Sequence, residues 1–164
     1  MIRLLTGSTH TGKTLLAQRL LERHGAPYLS IDHLKMGLIR SGMCPLTPES
    51  TDEALTAVLW PVVREIVKTA VENGQSLTVE GCYIPFNWRE DFDASCLPHI
   101  RFLCLVFSEA YIRTRFDTIQ THANAIERRK DDSFCTMELL LAENRRNLEA
   151  CRRRGLPYYL IEIL

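Results

Sequence analysis

The fold is decided by one stretch near the N-terminus, Gly7-Ser8-Thr9-His10-Thr11-Gly12-Lys13-Thr14, which we call the phosphate loop. It fits the pattern G-x-x-x-x-G-K-[ST] of phosphate-binding loops. Residues 2–6 before it form a short, mostly apolar run that is typical of a buried strand. After it, leucines recur at helical spacing up to Gly25, a residue that can end a helix. The flanks therefore predict a strand, a loop and a helix in succession.

The spacing within the phosphate loop indicates what each residue would bind. Gly7 and Gly12 let the backbone curl so that its N–H groups surround phosphate oxygens, and the positive end of the following helix adds attraction. Lys13 can reach the outer phosphates, and the Thr14 hydroxyl can coordinate magnesium. We therefore expect a nucleoside triphosphate here. The residues predicted to bind it are Gly7, Ser8, Thr9, His10, Thr11, Gly12, Lys13 and Thr14.

The composition is that of an ordinary globular protein. The 164 residues suit one domain, with 46% apolar and 24% charged residues. Twenty basic residues balance 20 acidic ones, so no nucleic-acid or membrane partner is predicted. The chain enters its first predicted strand at once and has no apolar run of membrane-spanning length, from which we expect a cytoplasmic location. The six cysteines form no C-x-x-C pair, and Cys82 and Cys104 are expected to be buried.

Strand and helix patterns alternate along the chain, which predicts a parallel sheet with helices on both faces. The predicted strands cover residues 2–6, 27–32, 76–80, 100–107 and 158–164. Asp32 and Glu80 end the second and third of them. Ligands of such sheets bind at the carboxyl ends of the strands, where the phosphate loop also lies. The loop and the two carboxylates are thus expected at one edge of the sheet.

Over essentially its whole length the chain resembles the small P-loop kinases of the nucleoside-monophosphate kinase and shikimate-kinase group. The phosphate loop, Asp32, the Val79-Glu80-Gly81 step and the arginine-bearing segment after strand four carry this resemblance. It implies an α/β P-loop NTPase fold, a three-layer sandwich with a five-stranded parallel sheet in the order 2-3-1-4-5. It also implies ATP as phosphate donor, Mg²⁺ as cofactor, and a single domain of residues 1–164 with a lid at about 120–133.

The resemblance also implies roles for the two carboxylates. Asp32 would hold or deprotonate the acceptor hydroxyl, as a carboxylate near the terminal phosphate can do. The alternative is that Asp32 caps a helix starting at His33. Glu80 would orient magnesium or bind the acceptor, the alternative being a charge exposed at a strand end.

Basic residues complete the implied site. Arg115 and Arg128 would stabilise charge on the transferred phosphoryl group, although each would also suit a solvated helix face. Lys35 and Arg40 would bind an anionic acceptor. The predicted catalytic residues are Lys13, Asp32, Arg115 and Arg128; the substrate-binding residues are Asp32, Lys35, Arg40, Glu80 and Gly81; the metal ligands are Thr14 and Glu80.

The predicted function is an ATP-dependent phosphotransferase that acts on the hydroxyl or phosphate of a small molecule, as a monomer or homodimer. The alternatives are a regulatory nucleotide-binding P-loop NTPase without an acceptor, and an adenylate-kinase-like nucleotide kinase. The Asp-Gly-x-Pro-Arg signature of adenylate kinases is absent, and Glu80-Gly81-Cys82-Tyr83-Ile84-Pro85 stands in its place. The chain also stops inside its last predicted strand, so the sequence predicts neither the acceptor nor the preferred base.

Overall fold

The computed structural model describes residues 1–122 and 135–162. Within them, five parallel strands form one sheet in the order β2-β3-β1-β4-β5, as predicted. The strands are β1 (Ile2–Gly7), β2 (Tyr28–Ser30), β3 (Leu77–Glu80), β4 (Ile100–Phe107) and β5 (Tyr158–Ile161).

Helices connect the strands and end at recognisable signals. They are α1 (Lys13–His24), α2 (Ile31–Arg40), α3 (Asp52–Glu72), α4 (Glu109–His122) and α5 (Met137–Arg154), with short 3₁₀ helices at Trp88–Asp91 and Leu97–His99. The hydroxyls of Thr51 and Thr136 accept backbone N–H groups at the starts of α3 and α5. Gly155 ends α5 in the left-handed conformation. In the described part of the chain, no helix combines the length and apolarity needed to cross a membrane.

The sheet is buried on both faces because successive side chains of a strand point in opposite directions. Leu4 of β1 joins the larger core, with Val63 and Val67 of α3. Leu5, its neighbour, packs with Ala17 of α1 on the other face. This double burial explains why β4 is apolar almost throughout, and helices cover both faces as predicted.

The register places the carboxyl ends of the central strands together. Glu80 at the end of β3 is aligned with Leu5 of β1 and with Ser30 of β2. Gly7, the last residue of β1, is aligned with Leu105 of β4. The phosphate loop therefore leaves the sheet beside Glu80, at the edge expected from the sequence.

The boundary between β2 and α2 differs from the prediction. The strand stops at Ser30 and the helix begins at Ile31, so Asp32 lies in the first turn of α2 rather than at the end of a strand. The position before the helix belongs to Ser30, whose backbone is extended, so the alternative that Asp32 caps the helix is wrong as well. A carboxylate in the first turn is favoured by the helix dipole. Asp32 still follows the carboxyl end of the sheet closely.

Candidate active site

The phosphate loop has the backbone that its glycines predict. Gly7 and Gly12 have φ values of 146° and 81°, which disfavour residues with a side chain. A Cβ at Gly7 would collide with the carbonyl oxygen of Leu105 on the neighbouring strand. His10 also has positive φ, at 65°, and its Nδ1 lies 2.8 Å from the Thr9 hydroxyl. The loop thus turns sharply between β1 and the start of α1.

Lys13 lies over the phosphate loop. Its side-chain ammonium donates a 2.8 Å hydrogen bond to the carbonyl oxygen of Ser8, and the residue is only 8% exposed. The Thr11 hydroxyl donates to the same oxygen at 2.9 Å. A largely buried cation held beside curled backbone is the arrangement that binds phosphate oxygens.

Thr14 and Glu80, the two predicted metal ligands, are brought together. The Thr14 hydroxyl lies 3.3 Å from Oε1 of Glu80, and Glu80 is 2% exposed. The alternative that Glu80 is merely an exposed charge is therefore wrong. A hydroxyl and a carboxylate are oxygen ligands of the kind that Mg²⁺ prefers, and Mg²⁺ commonly takes one or two protein oxygens together with phosphates. These residues fit a magnesium ion accompanying a triphosphate.

Beside the phosphate loop lies a second polar cluster, which we call the acceptor side and which consists of Asp32, Lys35 and Tyr83. The Lys35 ammonium lies 2.7 Å from Oδ1 of Asp32 and 3.0 Å from the Tyr83 hydroxyl. Burial lowers the pKa of Lys35, but the charge of Asp32 and its hydrogen bond outweigh burial and hold that pKa above the usual range. The Asp32 side chain is 43% exposed, against 13% for Lys35. The carboxylate is accessible while its cationic partner is largely covered.

Gly81 follows β3 directly and lies against the start of α2. Its N–H donates to the carbonyl oxygen of Leu5 at 3.1 Å, and its φ is 157°. A Cβ there would lie 2.9 Å from Cβ of Ile31, the first residue of α2. The absence of a side chain thus lets the helix that carries Asp32 lie against the end of β3.

Cys82 follows Gly81 in the segment after β3. It is exposed, contrary to prediction, whereas Cys104 is buried as predicted. Desolvation of its thiol raises the pKa of Cys82; the Lys13 ammonium opposes that rise and the Asp32 carboxylate adds to it. The pKa of Glu143 is raised by burial and by the nearby Asp52, while the backbone N–H of Thr9 opposes that rise. The charges of Lys13 and Asp32 therefore act on the same thiol.

Two of the predicted residues, Arg40 and Arg115, have no described contact with the phosphate loop or the acceptor side, and a third lies outside the described residues. Arg40 is exposed in the last turn of α2. Arg115 is exposed at a kink in α4, with φ −125° and ψ 19°, and among the described residues none of its ion pairs or hydrogen bonds reaches the phosphate loop. Arg128 and residues 123–133 of the predicted lid lie outside the described residues.

Tyr83 and Asn144 are site residues that sequence reasoning missed. Asn144, on α5, is 2% exposed and donates a 2.7 Å hydrogen bond to the Ser8 hydroxyl. One signal was available for it, since Asn144 falls between Leu140 and Leu148 on the helical stripe that faces the core. A polar residue inside an apolar stripe indicates a buried hydrogen-bonding role. No comparable signal marked Tyr83.

Solved structures share this fold. A shikimate kinase from Bacteroides thetaiotaomicron superposes with a TM-score of 0.60 at 10% identity, over 99% of this chain and 85% of that one. A gluconokinase from Sinorhizobium meliloti 1021 gives 0.54 at 17% identity, over 98% and 81%. A sugar kinase from Janibacter sp. HTCC2649 gives 0.55 at 17% identity, over 98% and 84%.

These likenesses confirm that the chain has the fold of the small P-loop kinases. No protein-family model matches the sequence, and no similar curated protein is found. At these identities the comparison concerns the fold, and what this chain does has to be argued from its own site residues.

Proposed function

We propose that this protein is a cytoplasmic, ATP-dependent phosphotransferase, a kinase that acts on the hydroxyl or phosphate of a small molecule. The observation that carries the proposal is the position of Lys13, a largely buried ammonium 2.8 Å from the Ser8 carbonyl within a loop of left-handed glycines. Such a loop suits a polyphosphate rather than a single anion, because several backbone N–H groups and one cation surround the same space. The kinase fold of the structural neighbours supports the same assignment.

The donor side would bind the nucleotide through its phosphates. Lys13 would leave the Ser8 carbonyl and pair with the outer phosphates, while the loop amides would hold the remaining oxygens. Thr14 and Glu80 would hold Mg²⁺, whose charge compensates the phosphate charge when Mg·ATP is bound. These residues would contact the phosphates and Mg²⁺, so they would not select the base of the nucleotide.

The acceptor side would prepare the attacking group. Asp32 would accept the proton of the acceptor hydroxyl as that oxygen bonds to the terminal phosphorus and the bond to the departing ADP oxygen breaks. Lys35 would keep the Asp32 carboxylate in place through their 2.7 Å ion pair, and Tyr83 would hold Lys35. Gly81 would set the position of α2 and therefore of Asp32.

Arginines remain part of the proposal. Arg115 and Arg128 would stabilise the charge of the transferred phosphoryl group if the segment of about 120–133 acts as a lid, and Arg40 would bind an anionic group of the acceptor. The partners would be ATP and the small molecule, without nucleic acid or membrane, for a monomer or homodimer. The described residues include all six cysteines and no disulfide bond between them, as in proteins of reducing compartments, which supports a cytoplasmic location.

The test is consumption of Mg·ATP by the purified protein against panels of nucleotides, sugars and hydroxy acids. We expect one class of acceptor to raise ADP release well above the rate without acceptor, and Asp32→Asn to abolish that increase. Slow hydrolysis that no compound changes would favour the regulatory NTPase instead. Stimulation by nucleoside monophosphates alone would favour the adenylate-kinase-like alternative.

A further inference from the structure

We propose that Asn144 is a positioning residue that anchors the Ser8 end of the phosphate loop and thereby sets the affinity for the triphosphate. The inference rests on the proposed function, since it assumes that the phosphate loop binds Mg·ATP. It concerns a residue of α5 that is distant in sequence from the phosphate-loop motif.

Asn144 joins three elements through one buried amide. Its Oδ1 accepts the backbone N–H of Phe107, at the end of β4, at 2.8 Å. Its Nδ2 donates to the carbonyl oxygen of Leu140 at 2.8 Å and to the hydroxyl of Ser8 at 2.7 Å. The amide therefore ties the phosphate loop to the sheet and to α5, and both hydrogens of its nitrogen are in use.

The two backbone partners determine how this amide is oriented. A backbone N–H can only donate and a carbonyl oxygen can only accept, so the amide cannot be turned over without breaking both bonds. Ser8 Oγ must then accept from Asn144. Its own hydrogen points elsewhere: Ser8 Oγ lies 3.5 Å from the Thr9 carbonyl oxygen, a long contact that a phosphate oxygen can replace. Asn144 thus leaves the Ser8 hydroxyl prepared to donate into the loop.

The anchor would matter most when the nucleotide is bound. In the structure, the Ser8 carbonyl oxygen accepts hydrogen bonds from the Lys13 ammonium at 2.8 Å and from the Thr11 hydroxyl at 2.9 Å. Once Lys13 pairs with phosphate, its bond to Ser8 is lost. The bond from Asn144 goes to a different atom of Ser8 and does not compete with phosphate for Lys13. It would therefore keep the loop in its binding shape, and a loop held in advance loses less entropy on binding.

The experiment measures the dissociation constant of Mg·ATP by isothermal titration calorimetry for the full chain and its variants. Asn144→Ala removes all three hydrogen bonds of the amide, and the loss of the one that reaches the phosphate loop is expected to raise that constant about tenfold. Ser8→Ala should have a similar effect. The double variant should bind Mg·ATP about as tightly as each single variant, because both substitutions remove the hydrogen bond between Asn144 and Ser8. Asn147→Ala, one turn further along α5, is the matched control and should bind like the wild type.

The outcomes separate this inference from the proposed function. If the wild type binds Mg·ATP and Asn144→Ala binds as Asn147→Ala does, or if the effects of the Ser8 and Asn144 substitutions simply add, the anchor is refuted while the nucleotide site stands. If the wild type itself releases or absorbs no heat with Mg·ATP, the proposed function fails, and the anchor fails with it.

Asn144→Asp covers the case in which the alanine variant does not fold. An aspartate keeps the shape of the side chain and the acceptor for the Phe107 N–H, but it brings a carboxyl group beside Ser8 and the phosphates. We expect its dissociation constant for Mg·ATP to rise by more than about tenfold above that of Asn147→Asp. Equal constants for these two aspartate variants would contradict the inference.

Discussion

The phosphate loop and the acceptor side use different kinds of contact. In the phosphate loop, Lys13 and Thr11 bond to a backbone carbonyl, and Ser8 and Thr11 are each only 3% exposed. On the acceptor side, side chains bond to one another, and Asp32 is 43% exposed. A site made of backbone depends on the shape of the chain, whereas a site made of side chains changes with each substitution. In the function that we propose, the fold would therefore fix the binding of the donor, and a few exposed side chains would choose the acceptor.

The largest expected effect is on the acceptor side and comes from Asp32→Asn. The amide cannot take the proton of the acceptor hydroxyl, so transfer should fall by about 10²–10⁴-fold. Because Asp32 lies outside the phosphate loop, the dissociation constant of Mg·ATP should stay near that of the wild type. Steady-state transfer and calorimetry on the same preparation check both expectations. Unchanged transfer to the true acceptor would remove Asp32 from the mechanism.

A smaller effect is expected from Gly81→Ala, at the contact between the end of β3 and α2. The new methyl group would press against Ile31, and the φ of 157° disfavours any side chain. We expect the free energy of unfolding to fall by about 1–3 kcal/mol. Urea denaturation followed by circular dichroism measures this change.

Gly37→Ala is the control for that experiment. Gly37 lies within α2, and a Cβ there would meet no atom within 4 Å. Alanine favours a helix, so this variant should be more stable by about 0.5–1 kcal/mol. If both alanine variants were equally stable, the close approach of Gly81 to α2 would not constrain the site.

The smallest effect concerns the pH dependence of the ion pair between Lys35 and Asp32. The pKa of Lys35 in the folded protein is held above its ordinary value of 10.5, so folding favours the protonated amine. The stability that this pair adds should therefore be fully present below about pH 10 and decline as the pH rises further. The difference in free energy of unfolding between wild type and Lys35→Met, measured from pH 7 to 11, should be constant at first and then shrink. A difference that grows above pH 10 would contradict this account.

The same comparison explains what could be predicted from sequence. The phosphate loop could be predicted because it depends on the local spacing of Gly7, Gly12 and Lys13. The continuous apolar run of residues 100–107 predicted both ends of β4 correctly. Sheet order followed from the resemblance to the small P-loop kinases. The placing of Glu80 followed from the rule that ligands bind at the carboxyl ends of parallel strands.

The predictions were wrong or absent where the structure depends on contacts between residues that are far apart in the sequence. Ser30 is a residue type that favours the start of a helix, but Ile31 after it also suits a strand, so the local sequence did not separate β2 from α2. The pairing of Lys35 with Tyr83 spans 48 residues, and that of Asn144 with Ser8 spans 136. Such contacts are set by how the helices pack on the sheet, and periodicity describes only one helix or strand at a time.

The central claim is that the phosphate loop binds Mg·ATP through Lys13, and calorimetric titration of the wild type and Lys13→Met tests it most directly. Because Lys13 supplies a largely buried positive charge to the loop, we predict saturable binding by the wild type and a dissociation constant at least about tenfold higher for Lys13→Met. Lys68→Met, which removes a cation of the same type from α3, should bind Mg·ATP as the wild type does. Equal binding by the wild type and Lys13→Met, or no binding by the wild type, would contradict the account.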